Sequence, residues 1–306
     1  MRTGFVSAID GTRLYYTVRG QGPVVVLCDG ILCEGFVWKY LEPFLAESFQ
    51  VVHWNYRGHG RSGPPRDSSR IGIADHARDL WSVLDALAVS AASVVGHSMG
   101  TQVCLEAYRL DPSRVQSMTL ACGSYGRITR TFHDTDVLAR WLPTVLAFAT
   151  KHPRLVRALV SRTPAHMAVR IARLGGEIDP LRASTQDMLP YFEHLTVMDP
   201  ELYLRMLDAA GMHSAEDLLG TITAPTLVVA AERDTFTPPR LAEQMARQIP
   251  GSRFYRVRDG SHACLIEQPG VINAEIAAFL REWLARDTAG TTLSLGTTAD
   301  REAADR

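Results

Sequence analysis

The chain has 306 residues, of which 46% are hydrophobic and 21% charged, with a formal net charge of −1. That length fits one large α/β domain or two small ones, and the composition can bury a sizeable core. The near-neutral balance excludes a general affinity for nucleic acid, and no stretch approaches the roughly 18 apolar residues of a membrane span. The N-terminus also lacks an apolar run of signal-peptide length. A soluble, cytoplasmic protein acting on a small molecule is expected, with the oligomeric state left open. Five cysteines, at 28, 33, 104, 122 and 264, show no Cys-x-x-Cys spacing. They are expected as reduced, mostly buried thiols rather than as a disulfide framework or a zinc site.

In chain order, Phe5–Ile9 and Thr12–Val18 flank Asp10-Gly11 and predict a hairpin with a two-residue turn. Pro23–Cys28 is a continuous apolar run, as in a central parallel strand buried on both faces. It ends at Asp29-Gly30-Ile31, and a helix over about 36–46 follows. Gln50–Trp54 is the next strand, entering a loop dense in turn formers from Asn55 to Pro65. Ile73, Ala77, Leu80, Leu84 and Leu87 recur at helical spacing. A strand over 93–98, a helix to about Leu110, and a strand at Val115–Ala121 come next. Strands alternating with helices predict an α/β fold, a mostly parallel sheet with helices on both faces.

The next clear strand is Thr226–Ala231. A crossover needs only a dozen or more residues, and residues 122–225 are too many for one unstructured loop. Their pattern is helical, over 137–150, 153–160, 165–174, 183–196 and 201–212. Residues 125–212 are therefore expected as a helical cap inserted into a core of 1–124 and 213–286. A short helix at 239–248, a last strand at 254–257 and a last helix at 271–284 close the core. From Asp287 to Arg306 the chain is rich in Thr, Ala and charge, which predicts a disordered tail.

Gly96-His97-Ser98-Met99-Gly100 sits between a predicted strand and a predicted helix. Gly-x-Ser-x-Gly in that context describes a nucleophile elbow. The serine projects from a sharp turn, and the helix N-terminus behind it offers free N–H groups. A serine nucleophile needs a base, and the base an orienting acid. Asp234 lies just past one predicted strand and His262 just past the last. In a parallel sheet all three therefore emerge at the same end, where ligands bind in open α/β sheets.

These motifs resemble the α/β-hydrolase superfamily, in its cap-bearing branch of esterases and lactonases. The likeness covers about 4–124 and 213–286. It is carried by Gly-His-Ser-Met-Gly, by Glu232-Arg233-Asp234-Thr235-Phe236-Thr237-Pro238, by Gly260-Ser261-His262 with Glu267 and Pro269, and by Arg57-Gly58-His59-Gly60-Arg61-Ser62. The resemblance implies Ser98, Asp234 and His262 as a triad, with the backbone N–H groups of Ile31 and Met99 as the oxyanion hole. It implies no metal and no organic cofactor. The chain departs from the pattern at Asp29, where His is commoner, at Asn55, where Asp is common, and at Thr101, where Gly is common. An ionised Asp29 would oppose a nearby oxyanion unless it is tied up, for which backbone donors of its own loop are the expected partners.

Structural alternatives stand beside these roles. His97 should turn towards the core, and His53 and His59 belong to a structural loop. His133, His152, His166, His194 and His213 lie in or beside the cap and could touch substrate. Glu34 is a second candidate acid. Met167, Met188, Tyr191, Phe192, Met198, Tyr203, Met206 and Met212 could form either the cap's own core or a pocket lining. Residues 127–173 hold nine Lys or Arg and two acidic residues, and 177–217 hold nine acidic and two basic. Either the halves pair or lie solvated, or first-half arginines face the cleft and attract an anionic substrate. The expected activity is hydrolysis of a small carboxylic ester or lactone. A carbon–carbon hydrolase or acyltransferase on the same residues, or a non-catalytic binding protein, are the alternatives. A serine in place of aspartate argues against the epoxide hydrolase and haloalkane dehalogenase branches.

Overall fold

The structure, a computed structural model, describes residues 1–174 and 178–295, with side chains to residue 284. It opens on strands β1 (Arg2–Ser7) and β2 (Arg13–Arg19). Then come β3 (Val24–Cys28), a short α1 (Leu41–Leu45), β4 (Gln50–Trp54) and α2 (Ile73–Ala86). They lead to β5 (Ala92–His97), α3 (Met99–Leu110) and β6 (Val115–Ala121). Between β6 and the next strand stand α4 (Val137–Lys151), α5 (Pro153–Arg162), α6 (Ala165–Leu174), α7 (Thr185–Val197) and α8 (Pro200–Met212). The chain returns to the sheet with β7 (Thr226–Ala231), α9 (Pro239–Gln248), β8 (Arg253–Val257), α10 (Cys264–Glu267) and α11 (Pro269–Leu295).

The strands form one sheet in the order β1-β2-β4-β3-β5-β6-β7-β8. It is parallel from β4 to β8 and antiparallel at the β1–β2–β4 edge. Alternation along each strand sends apolar side chains to both faces. Val26 and Cys28 of β3 pack with Leu80, Leu84 and Val103 of α2 and α3. Their neighbours Val25 and Leu27 pack on the other face with Trp38, Leu41 and Phe279. A strand buried on both faces has to be largely apolar, which is why β3 and Leu227–Ala231 of β7 read as unbroken runs, while the buried Ser93 and His97 of β5 are bonded to Ser117 and the His262 carbonyl. No helix of the described residues is long and apolar enough to cross a membrane.

Three local features differ from expectation. The first hairpin has a longer loop than Asp10-Gly11. Ser7 pairs with Arg13, and Ala8 N–H donates to the Thr12 carbonyl. The Asp10 carboxylate accepts from both Thr12 N–H and the Arg57 guanidinium, so the turn is shaped by a distant partner. The helix expected over 36–46 is broken into a 3-10 turn at Phe36–Trp38 and α1. Pro43 has no N–H to donate backwards, and it sits in the first turn of α1, where that N–H would have no intrahelical acceptor. Finally, α11 continues to Leu295, nine residues into the tail expected from Asp287. Ala285, Arg286 and Ala289 favour helix and no proline interrupts. The rest of that tail, 296–306, lies outside the described residues.

Two buried polar clusters brace the ends of β3 and β4. The Arg57 guanidinium forks onto Asp79 at 2.7 and 2.6 Å and also reaches Asp10 at 2.9 Å. Asp29, fully buried, accepts from the Trp38 indole at 2.6 Å and lies 2.9 Å from His53 Nε2. Burial alone would lower the His53 pKa, but the charge and hydrogen bond of Asp29 raise it above the ordinary histidine value. Such a group adds stability that is complete below its unfolded pKa, near 6.5, and is lost as pH rises through its folded value. Breaking a buried pair costs about 3 kcal/mol.

The thermal midpoint gap between the wild type and His53→Gln is therefore expected to be wider at pH 6 than at pH 9. A gap that is constant or widens with pH would contradict a charged His53. A second expectation concerns Gly100, where an added Cβ would fall against the Cys28 carbonyl oxygen. Gly100→Ala should destabilise by about 1–3 kcal/mol or more, because backbone on both sides must move. An unchanged denaturant midpoint would show that the contact is not tight.

Candidate active site

Ser98 stands between β5 and α3 with φ 56 and ψ −119, a conformation that L-residues rarely adopt. Its N–H donates to the Ala121 carbonyl at 3.0 Å, which ties the turn to β6. The elbow lifts Oγ to 3.0 Å from His262 Nε2. His262 follows β8, and its Nδ1 lies 2.9 and 3.0 Å from the two oxygens of Asp234, which follows β7. The parallel strands β5, β7 and β8 end at one edge of the sheet, so three residues far apart in sequence meet there. The structure thus brings Ser98, His262 and Asp234 into one hydrogen-bonded line.

The line has a direction. The Asp234 carboxylate accepts a hydrogen bond from Nδ1–H, so Nε2 is left as an acceptor facing the Ser98 hydroxyl. Asp234 is buried, and its Oδ1 accepts from the N–H groups of Phe236 and Thr237, both at 2.9 Å. The Thr237 hydroxyl lies 2.8 Å from Asp234 Oδ2 and equally far from the Cys122 carbonyl. Phe236 stacks on the His262 ring at 4.8 Å. These contacts hold the acid and the imidazole plane.

Sequence reasoning passed over three of the supports. Thr237 and Phe236 were seen only as parts of a motif. Glu267 also matched the motif, and it does more than mark it. Its carboxylate accepts from Ser261 N–H at 2.9 Å, from Ser261 Oγ at 2.5 Å, and from Asp179 N–H in the cap at 2.7 Å. One buried side chain thereby joins the His262 loop to the cap. His97 turns inward as expected, yet its Nε2 donates to the His262 carbonyl at 3.0 Å. Burial, with the nearby His262 adding to it, pushes the His97 pKa down to about 3.

On the other side of Ser98, Met99 N–H opens α3, where the first N–H groups have no intrahelical partner. In the turn after β3, Leu32 N–H donates to His59 Nε2 at 3.3 Å and Cys33 N–H to the Gly30 carbonyl at 3.2 Å. Among the described residues, Ile31 N–H is the one of the three without a partner. Gly30 is close enough that an added Cβ would lie 3.2 Å from Ser98 Cβ. Asp29 is tied up, but not as expected. Its partners are the side chains of Trp38 and His53, from other elements, rather than backbone donors of its own loop. Asn55 accepts from Arg61 N–H, and Thr101 is fully buried.

A cavity of about 280 Å³ opens at Ser98 and His262. Phe36, Phe236 and Ile266 line it from the core, and Met188, Phe192 and Tyr203 from the cap. Of the ambiguous cap residues, Met188, Tyr191, Phe192 and Tyr203 face the cavity, whereas Met198 and Met206 pack against Leu32 and Ile71, where the cap meets the core. Met167 and Met212 are exposed. No Lys, Arg, Asp or Glu lines the cavity among the described residues, so the first-half arginines do not face substrate. Arg157 instead pairs with Asp199 across the two halves. The five cap-region histidines also stay out of the lining; His194 lies 3.5 Å from Glu34 and His213 3.1 Å from Glu106. Glu34, the second candidate acid, is thus spoken for elsewhere.

A family model described as alpha/beta hydrolase fold matches residues 23–141, and one described as TAP-like protein matches 207–289. The chain is 31% identical over 277 residues to the "Putative carbamate hydrolase RutD" of Azorhizobium caulinodans, which covers 88% of this chain and 95% of that protein. Among solved structures it is similar to the enol-lactonase of Burkholderia xenovorans LB400, with a TM-score of 0.72, 21% identity, and coverage of 91% and 100%. Est816, titled an N-acyl homoserine lactone degrading enzyme, aligns with a TM-score of 0.68 at 25% identity, covering 90% and 100%. A 31% identity sustained along nearly the whole of both chains, on a sheet and cap of this architecture, makes the chain a member of the α/β-hydrolase family, an α/β-fold hydrolase.

Proposed function

We propose that the protein hydrolyses an uncharged carboxylic ester or lactone through an acyl-enzyme on Ser98. The observation that carries this reading is the Ser98–His262–Asp234 line, with its 3.0 and 2.9 Å contacts, at the mouth of an apolar cavity. His262 takes the hydroxyl proton as Ser98 Oγ attacks the carbonyl carbon. The N–H groups of Ile31 and Met99 hold the oxyanion of the tetrahedral intermediate. Collapse expels the alcohol, which receives the proton from His262. Water, deprotonated by the same imidazole, then attacks the ester carbonyl on Ser98 and frees the acid. Residues 1–124 and 213–286 act as the hydrolase core in this reading, and 125–212 as the cap over Ser98.

The cavity lining supports a neutral, apolar acyl group, because a buried charge without a partner there would be costly. Similarity to the relative named as a carbamate hydrolase favours a second substrate class on the same chemistry, since a carbamate carbonyl is attacked in the same way. A hydrolysis panel of esters graded by acyl length, lactones and carbamates separates these classes. Labelling by a fluorophosphonate tests the nucleophile itself; an unlabelled Ser98 would point to a non-catalytic binding protein. Product from an added alcohol acceptor in preference to water would point to acyl transfer.

Ser98→Ala should lower turnover about a million-fold with the fold intact, and Asp234→Asn about ten-thousand-fold, through a wrongly held imidazole. If Glu34→Gln costs more than Asp234→Asn, the acid is misassigned. His97 and His59, held by burial at about 3 and about 4, do not titrate between pH 5 and 8. A change of rate over that range therefore comes from neither of them. Because no cation lines the cavity among the described residues, kcat/KM for a carboxylate-bearing ester and for its neutral analogue should respond equally to salt. A selective loss for the charged ester would restore electrostatic steering by the cap.

A further inference from the structure

Among the described residues, the cap helices α4, α5 and α6 carry large apolar side chains that nothing covers. A solvated helix face is ordinarily polar. Here α4, α5 and α6 each carry exposed large apolar side chains, beside the buried ones on α4 and α6 and on α5 with no buried residue at all. On α4 the buried side is Leu142 and Ala149, while Trp141 and Phe148 are 61% and 47% exposed. On α5, Leu155 and Leu159 lie one turn apart and are both exposed. On α6, Val169 and Ala172 turn inward, and Met167 and Ile171 turn out, Ile171 at 64% exposure. Single exposed apolar residues need no explanation, but stripes on three successive helices do.

Charge says what covers this face. Residues 137–174 contain seven Lys or Arg and not one Asp or Glu. Arg140 and Arg157 are paired with Asp136 and Asp199, and Arg173 donates to the Ala183 carbonyl. Lys151, Arg154, Arg162 and Arg170 are exposed and have no ion pair or hydrogen bond among the described residues. On the helical wheel Arg162 falls beside Leu159, and Arg170 beside Met167 and Ile171. A second copy docking face to face would set this unanswered positive charge against itself. An anionic lipid surface supplies both partners at once, acyl chains for the apolar stripes and negative headgroups for the flanking cations.

We propose that the outer face of α4–α6 docks on an anionic lipid surface. The inner face of α6 meanwhile lines the catalytic cavity through Ala172, so the docked cap places that cavity within one helix diameter of the bilayer.

The test uses the full chain in co-sedimentation with vesicles of equal parts phosphatidylglycerol and phosphatidylcholine, against phosphatidylcholine alone. At low salt the bound fraction should be roughly tenfold higher or more on the anionic vesicles. Emission from the exposed Trp141 should shift to the blue on binding, and Trp141→Phe should lose that shift. Leu159→Asp with Ile171→Asp, and separately Arg154→Glu with Arg162→Glu, should each abolish retention without moving the thermal midpoint. The proposal is overturned by equal or absent retention on the two vesicle types. It is also overturned if retention ignores the apolar substitutions, which would leave charge adsorption only. Self-association that Leu159→Asp with Ile171→Asp abolishes would assign the face to a second copy instead. None of these readouts depends on hydrolysis, so they fail independently of the proposed activity.

Discussion

The close approach of α3 to the end of β3 is the constraint on which the site depends. Ser98 can leave β5 at φ 56 and start a helix at once only if Gly96 and Gly100 let backbone pass backbone. With a Cβ at Gly100 the helix would be pushed off the Cys28 and Asp29 carbonyls, and Ser98 with it. That single tight turn sets three things together: the exposure of Oγ, the free N–H of Met99, and the proximity of the Gly30-Ile31 turn. Strain at Ser98 persists because its N–H is held by Ala121 and α3 is buried along most of its length.

Around that turn the acid and the imidazole loop are held by several hydrogen bonds each, whereas Thr101 Oγ1 and His97 Nδ1 have no partner among the described residues. Asp234 accepts from two backbone N–H groups as well as from His262, so its carboxylate is oriented before any substrate arrives. Glu267 holds Ser261 beside His262 and reaches Asp179 in the cap. Core and cap therefore share one buried carboxylate, and a movement of the cap would be felt at the imidazole. His97 holds the same loop from below through the His262 carbonyl.

The charge pattern around the oxyanion turn follows the same logic. Asp29 would place a negative charge where negative charge has to develop, but Trp38 and His53 surround it. The charge and hydrogen bond of Asp29 in turn raise the His53 pKa against the effect of its burial. Histidine at position 53 is thus the complement of aspartate at position 29, across two neighbouring strands. The cap divides its charge differently. Its wall on the cavity is apolar through Ala172, whereas Met167, Arg170 and Ile171 of the same helix are exposed.

Much of this was legible in the sequence, for local reasons. Strands buried on both faces must be largely apolar runs, and helices between them must show a stripe every three or four residues; β3, β7, α2 and the cap helices obey this. The Gly-His-Ser-Met-Gly turn, Asp234 and His262 stand at strand ends, and a parallel sheet puts such ends on one edge. What the sequence left open depends on partners distant in the chain. The length of the first hairpin loop was decided by Arg57 reaching Asp10, and the fate of Asp29 by Trp38 and His53. The link from Glu267 to the cap, and which cap residues face the cavity, were likewise settled by tertiary contact. Periodicity tells that Met188 and Met167 lie on helices, but not that one faces Ser98 and the other faces outward. That choice belongs to how α6 and α7 pack against each other, because an amphipathic pattern names the buried face of a helix only when one face, and not two, is apolar.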